Sequence, residues 1–331
     1  MEVFNLHTAD SYDRIMLGNR IRQFKSHFQE MLQNNTQQAI HYMNHENLHF
    51  PSLFVLESDI KNSELSSHLS PRNQQALEIT REITSGEFAN LHRLSSDTRD
   101  TTYPVLKWML ETGYRNDGLN NQYDLVMESV SALLVKVYRD TTVLPAMAEM
   151  IFSRHRKGLY IHDLVWAFFE CRLPSSLGLI ANYLNSIDRK DVLLAQKLLS
   201  FIPEISASRP STPSAQYTHF LQWMQENGSF LRYTGESLQQ TPSPLPYVVS
   251  LEAKYLCKAI APATGKPLNP FTPEESKLLE PFQALPQDLR VLLSSYSYLL
   301  YRQNGYQWRT WIFSPVSEQI RSARAWKGGI L

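Results

Sequence analysis

Apolar residues recur at helical spacing through the middle of the chain, between residues 123 and 205. In the first segment they follow one another at steps of four, three and four residues, namely Val126, Val130, Leu133 and Val137. This spacing places all four side chains on one face of an α-helix. Four more segments with the same periodicity follow, joined by turns of only two to four residues. The pattern predicts five amphipathic helices in series.

The ends of these segments carry residues that are typical of helix termini. Asp140 and Asp188 precede the second and fifth segments, where their carboxylates can cap free backbone N–H groups. The second segment closes with Arg154-His155-Arg156-Lys157 and then Gly158. Basic side chains suit the negative end of a helix, and glycine suits its left-handed cap. Pro174 follows the third segment and acts as its stop.

Helices joined by such short turns pack antiparallel to their neighbours. Serial helical hairpins that each bury one face against the next resemble the architecture of HEAT-like α-solenoids. The segments share size and patterning rather than a repeated sequence signature. We therefore predict an all-α fold, either a helical-hairpin array of this kind or an irregular helical bundle. One exception is expected near residues 306–313, where aromatic and polar residues alternate as in a short strand or hairpin.

The composition of the chain shifts after Ile205, where a Ser/Pro-rich stretch occupies residues 206–213. Such a stretch is typical of a linker between domains. We predict three parts on this basis: an N-terminal helical arm over residues 1–70, a central helical-repeat-like core over residues 71–205, and a C-terminal helical domain over residues 206–331.

Charge and composition argue against several classes of protein. Lys plus Arg and Asp plus Glu both total 32, so the net charge is zero, which opposes a surface built throughout for phosphate binding. Only 12 glycines occur in 331 residues, fewer than nucleotide-cradling folds usually contain. The longest apolar runs are too short to cross a bilayer, so we expect no membrane span.

The compartment is predicted from two features of the sequence. The first residues lack the basic and apolar regions of a cleaved signal peptide. The two cysteines, Cys171 and Cys257, lie far apart within predicted helices, which favours buried thiols over a disulfide. We therefore expect a soluble cytoplasmic protein; secretion without a cleaved signal is the alternative.

One short motif, His45-Glu46-Asn47-Leu48-His49, matches the helix of zinc peptidases. Residues four apart on a helix share a face, so both imidazoles could bind one Zn²⁺ while Glu46 activates the bound water as general base. A third ligand is needed, and Glu78 is the best candidate. The context opposes this interpretation, because Pro51 disfavours helix at the end of the motif. The alternative is a helix that displays these histidines on its polar face without a metal.

The C-terminal residues 290–327 combine six basic residues with a single acid, Glu318, and many aromatic rings. Cations together with stacking rings could bind single-stranded nucleic acid or an acidic partner. The residues that would form this basic and aromatic ligand-binding face are Arg302, Trp308, Arg309, Trp311, Arg321 and Arg324. The alternative is an aromatic core beneath a solvated basic face.

The sequence contains no P-loop, nucleophile elbow or dinucleotide-binding fingerprint. We therefore predict a non-enzymatic α-helical protein-protein interaction protein, such as an adaptor, scaffold or regulator, that uses no cofactor and binds another protein. Two alternatives stand beside this prediction. One is a zinc-dependent hydrolase built on His45, Glu46 and His49, and the other is a nucleic-acid-binding module built on the C-terminal region.

Overall fold

The computed structural model describes residues 11–86, 96–205, 212–236, 241 and 244–328, with side chains for all of these except 11–17, 96–100 and 213. Over this part of the chain the all-α prediction is confirmed: seventeen α-helices alternate with turns and short 3₁₀ helices, and one two-stranded sheet interrupts them. No helix among the described residues is both long and apolar enough to cross a bilayer. The chain divides into two compact units, Met1–Cys171 and Arg172–Leu331.

The first unit contains nine of the described α-helices. They are α1 (Ser11–Asn34), α2 (Thr36–Met43), α3 (Phe50–Val55), α4 (Glu57–Asn62), α5 (Pro71–Ser85), α6 (Ser96–Gly113), α7 (Asn121–Lys136), α8 (Leu144–Arg156) and α9 (His162–Phe169). Short 3₁₀ helices lie at Leu65–His68 and Tyr114–Asn116. Helix α7 packs against α5, α6 and α9, and it buries Val126, Val130 and Leu133 as their spacing predicts.

Close packing around Tyr123 holds the start of α7. Its ring stacks on Phe50 of α3 with 5.7 Å between the ring centroids, and its hydroxyl donates to the Gly113 carbonyl at 2.9 Å. A side chain would not fit at position 113, because a Cβ there would lie 2.6 Å from the Tyr123 hydroxyl oxygen. Glycine at the end of α6 therefore allows α3, α6 and α7 to approach one another closely.

The second unit contains the remaining eight described α-helices and both strands. The helices are α10 (Leu177–Ala181), α11 (Arg189–Leu198), α12 (Pro213–Asn227), α13 (Leu251–Tyr255), α14 (Pro273–Gln283), α15 (Gln287–Gln303), α16 (Gly305–Ile312) and α17 (Val316–Gly328). Short 3₁₀ helices lie at Pro174–Ser176, Asn182–Asn185 and Gly228–Phe230. Strands β1 (Leu231–Tyr233) and β2 (Tyr247–Val249) pair antiparallel, with Leu231 opposite Val249.

Helices α13 to α17 enclose one apolar core in the second unit. Tyr255 of α13 stacks on Phe282 of α14 with ring centroids 4.2 Å apart, and Trp311 of α16 meets the Tyr255 ring edge-on at 6.1 Å. The long helix α15 packs against α13, α16 and α17, and its Leu293 is fully buried in this core. This packing holds α16 and α17 on α15 and so sets the positions of their exposed side chains.

The strand predicted near residues 306–313 is wrong, because this segment forms helix α16. The inward residues Trp308, Trp311 and Ile312 are spaced by three and one, which satisfies a helix as well as the alternation satisfies a strand. Asn304 favours the helix further: its side chain accepts hydrogen bonds from the backbone N–H groups of Tyr306 and Gln307, both at 3.1 Å. The described two-stranded sheet lies elsewhere, at β1 and β2.

The three-part division into domains stays a prediction. Of the Ser/Pro stretch at residues 206–213, residues 206–211 lie outside the described chain. The two compact units divide after Cys171, so that the predicted N-terminal arm belongs to the same unit as α5 to α9.

Candidate functional site

The residues of the motif at 45–49 form a loop rather than a helix. Helix α2 ends just before Asn44, whose side-chain amide donates to the His68 carbonyl at 2.7 Å and whose side-chain oxygen accepts from the Ser70 backbone N–H at 2.6 Å. Pro51 lies in the first turn of α3, where a proline is well tolerated, and so starts a new helix. The helix predicted through this motif is therefore wrong.

The loop removes the geometry on which the zinc prediction depended. Arg72 holds the loop by donating to the backbone carbonyls of His45 and Glu46, at 3.5 and 3.4 Å. Outside a helix, His45 and His49 no longer share a face through their four-residue spacing. Glu78, the third candidate ligand, is exposed on α5. The described residues contain no group of three or more His, Cys, Asp or Glu that could hold a metal ion.

The aromatic residues of α16 and its C-terminal cap divide into an inner set, the predicted Trp308 and Trp311, and an outer set that the predicted face did not include. In the inner set, Trp308 Nε1 donates to Ser297 Oγ at 2.8 Å and Trp311 Nε1 donates to Ser322 Oγ at 2.9 Å. Each indole also meets a tyrosine ring of α15 edge-on, with ring centroids 5.3 Å apart in both cases. The N–H groups of both indoles are therefore used in packing the helices together.

The outer set lies on α16. Tyr306 is 82% exposed, and Phe313, at the C-terminal cap of the helix, is 64% exposed. Arg309 and Thr310 lie between them and are exposed as well. Steps of three, one and three residues place these four side chains on one side of the helix, away from the buried Trp311. We call this surface the α16 face and define it by Tyr306, Arg309, Thr310 and Phe313.

Several cations accompany the α16 face. The guanidinium of Arg309 has no hydrogen-bond or ion-pair partner within the part of the chain that the structure describes, and the same holds for Arg321 and Arg324 on α17. The guanidinium carbon of Arg302, at the end of α15, lies 5.9 Å from the centre of the Tyr298 ring. Four arginines of the predicted face are thus exposed, and none of them has an ion-pair partner among the described residues.

A shallow pocket separates α16 from α17. Its volume is about 550 Å³, and it is lined by Trp311, Ser314, Glu318, Arg321, Ser322 and Ala325. The pocket brings together two residues that sequence analysis assigns to the face, Trp311 and Arg321. It also places the acid of this region, Glu318, beside them, which lowers the net positive charge at the pocket.

Arg154 forms the most deeply buried ion-pair network that the structure describes in the first unit. Its Nε and Nη2 donate to the two carboxylate oxygens of Asp117 at 2.7 and 2.8 Å, and its Nη1 donates to Glu128 at 2.9 Å. Arg154 is only 4% exposed. Sequence analysis correctly places it in the last turn of a helix, but its acidic partners come from distant parts of the chain.

Lys254 is the corresponding buried cation of the second unit. Its Nζ donates to Asn227 Oδ1 at 2.8 Å and to Ser295 Oγ at 3.3 Å, and the residue is only 3% exposed. Burial lowers the pKa of Lys254 to about 8, although the negative charge of Glu226 acts in the opposite direction. Burial also raises the pKa of the nearby Cys257 thiol to about 12, which keeps this thiol neutral. Lys254 is enclosed by packed helices, whereas Cys257 lies in a turn and is partly buried.

Phe313 is a surface residue that the sequence pattern does not predict, because the alternation over residues 306–313 indicates a strand. Helical spacing applied to residues 305–313 would have placed Tyr306 and Phe313 on the same side. Comparison of the chain with protein-family models, with curated proteins and with solved structures gives no match.

Proposed function

We propose that the protein is a non-enzymatic protein-protein interaction protein that binds its partner through the α16 face. The observation that carries this proposal is the exposure of two large rings, Tyr306 and Phe313, on the same side of one helix as Arg309, which has no partner among the described residues. Aromatic residues and arginine are enriched at the energetic centres of protein interfaces. Full burial of each ring contributes about 1.5–3 kcal/mol.

The packing of α16 against the apolar core also favours a binding function. Trp311 and Ile312 anchor α16 in the core that α13, α14, α15 and α17 also line. A helix held in this way loses little conformational freedom when a partner binds, so more of the contact energy appears as affinity. An adaptor, a scaffold or a regulator would use such a surface. Cys171 and Cys257 are not joined in a disulfide, which fits a cytoplasmic location, since thiols persist in reducing compartments.

A catalytic role finds less support in the described residues. The two buried cations, Arg154 and Lys254, are only 4% and 3% exposed. A substrate could not reach either group without unpacking helices. The motif that suggested hydrolysis, residues 45–49, lies in a loop whose backbone is held by Arg72.

The proposal is tested by capturing partners from a lysate of the native organism with the N-terminally tagged full-length protein. The comparison variant is Tyr306→Ser/Phe313→Ser. The matched control is Tyr160→Ser, because Tyr160 of the first unit is also 64% exposed. We expect a protein that the wild type and the control retain and the double variant loses, and that binds directly when purified. Identical captured proteins with all three baits would contradict the proposal.

A nucleic-acid-binding module is the second candidate function, and the charge of the C-terminal region favours it. Residues 290–327 carry six basic residues and one acid, and Arg321 and Arg324 are exposed on α17 without a described partner. Retention on immobilised single-stranded DNA at low salt would then be lost in Arg321→Glu/Arg324→Glu. Native protein that is not retained at low salt would contradict this candidate.

A further inference from the structure

We infer that the partner of the α16 face is an acidic protein segment that presents two apolar side chains about two helical turns apart, with a carboxylate between them. This inference rests on the proposed function and adds the chemistry of the partner to it. Three observations lead to it: the spacing of the two exposed rings, the position of Arg309 between them, and the distribution of charge along the chain.

The spacing of the exposed rings sets the spacing of the apolar anchors. Tyr306 and Phe313 are seven residues apart on α16, which corresponds to about 10 Å along the helix axis. A partner that covers both rings must therefore place apolar groups at a similar separation. Residues i and i+7 of a second helix that packs along α16 meet this requirement.

The position of Arg309 determines the charge of the partner. Arg309 lies three residues after Tyr306 and four before Phe313, so a partner that covers both rings also removes Arg309 from water. The guanidinium has no described partner of its own. A buried, unpaired charge is strongly unfavourable, whereas a carboxylate can pair with a guanidinium through two parallel hydrogen bonds. The partner must therefore supply an acid between its two apolar anchors.

The distribution of charge favours an acidic partner over longer distances as well. Residues 290–327 carry six basic residues and one acid, although the chain as a whole has no net charge. An acidic segment would be steered towards this region, and the steering would weaken as salt is added. Arg302 at the end of α15 adds a second exposed cation close in sequence to α16.

Nucleic acid fits the α16 face less well. A single strand is usually held by several cations along its backbone and by rings on which successive bases stack. The α16 face carries one cation, and the ring of Trp311 is only 9% exposed, so a base cannot stack on it. An acidic segment with apolar anchors uses Tyr306, Arg309 and Phe313 together.

The test is a selection of peptides from a random 16-residue library on the full-length protein. We expect enriched sequences to carry Asp or Glu flanked by apolar residues about three or four positions to each side. One enriched peptide is then labelled, and its binding is measured by fluorescence anisotropy. Arg309→Glu should weaken binding by about tenfold or more, and Arg309→Lys by less. Phe313→Ser should weaken it as well.

Two controls make this result specific. Arg189→Glu reverses another exposed arginine, on α11, and should leave binding unchanged. A peptide with its acid replaced by Lys should bind Arg309→Glu more tightly than it binds the wild type, which a variant that merely fails to fold could not do. Enrichment of basic or uncharged peptides, equal binding by Arg309→Glu, or tighter binding of a single-stranded oligonucleotide would overturn the inference. If partner capture requires Tyr306 and Phe313 but not the charge of Arg309, the inference is wrong and the proposed function still holds.

Discussion

At the scale of single residues, buried charge has measurable consequences for stability. Lys254 has an ordinary pKa of 10.5 in the unfolded chain, whereas burial lowers its pKa to about 8 in the folded protein. Between these values the folded protein binds fewer protons than the unfolded chain, so the free energy of unfolding rises with pH from about 8 to 10.5. Below pH 8 the lysine is charged in both states, and its unfavourable contribution is constant.

We expect Lys254→Met to remove this pH dependence. The difference in the free energy of unfolding between wild type and variant should change by on the order of 3 kcal/mol from pH 7 to pH 10.5, in favour of the wild type at the higher pH. Urea denaturation of both proteins across this range measures it, and the subtraction cancels the other titrating groups. Parallel stability curves would show that the lysine is not buried as described.

Arg154 differs from Lys254 because its buried charge is paired with two carboxylates, those of Asp117 and Glu128. Arg154→Ala would leave the carboxylate of Asp117, which is 3% exposed, without its partner. Breaking a buried pair in this way costs about 3–5 kcal/mol. The measurement is urea denaturation, with Arg189→Ala as a control that should change stability by no more than about 0.5 kcal/mol. A loss below about 1 kcal/mol for Arg154→Ala would contradict the described network.

At the scale of elements, capping side chains and helical spacing determine whether a segment forms a helix, a strand or a loop where composition alone does not. Residues 306–313 satisfy a strand by alternation and a helix by the spacing of Trp308, Trp311 and Ile312. The strand prediction failed because it gave no weight to Asn304, whose side chain closes the first turn of α16. The helix predicted through residues 45–49 is wrong as well, because helix α2 ends before the motif and Pro51 lies in the first turn of the next helix, α3.

The cap of α16 can be tested directly. Asn304→Ala removes the acceptor for the N–H groups of Tyr306 and Gln307, and should cost about 1 kcal/mol of stability. Asn304→Asp keeps an acceptor and should cost little. Thermal denaturation of both variants gives the answer. Equal stability of Asn304→Ala and wild type would argue against this helix start.

The loop at residues 45–49 leads to a prediction about metal content. Because the loop does not aim His45 and His49 at a common point through helical spacing, untagged protein should contain no stoichiometric zinc. Glu46→Gln should leave its metal content and stability unchanged, since Glu46 is exposed. Elemental analysis of untagged protein is the measurement. One zinc per chain, lost on mutation of either histidine, would restore the hydrolase interpretation.

At the scale of the whole molecule, local periodicity predicts the fold class but not its division. Each helix carries its pattern in its own residues, so the all-α class could be read from segments such as α7. The boundary after Cys171 depends on contacts between distant residues, such as Arg154 with Asp117, which no local pattern reveals. The candidate site could be predicted only in part. Composition locates the basic aromatic region, but the phase of α16 decides which rings face outward.

The most direct test of the proposed function is site-specific photo-crosslinking in the native organism. A benzoyl-phenylalanine side chain replaces Phe313 on the α16 face, and in a parallel strain it replaces Tyr160 in the first unit, where exposure is also 64%. We expect a discrete crosslink to another protein from position 313, weakened by Arg309→Glu, and none to that protein from position 160. The absence of a protein crosslink at position 313, or the same products at both positions, would contradict the assignment of the α16 face as the binding surface.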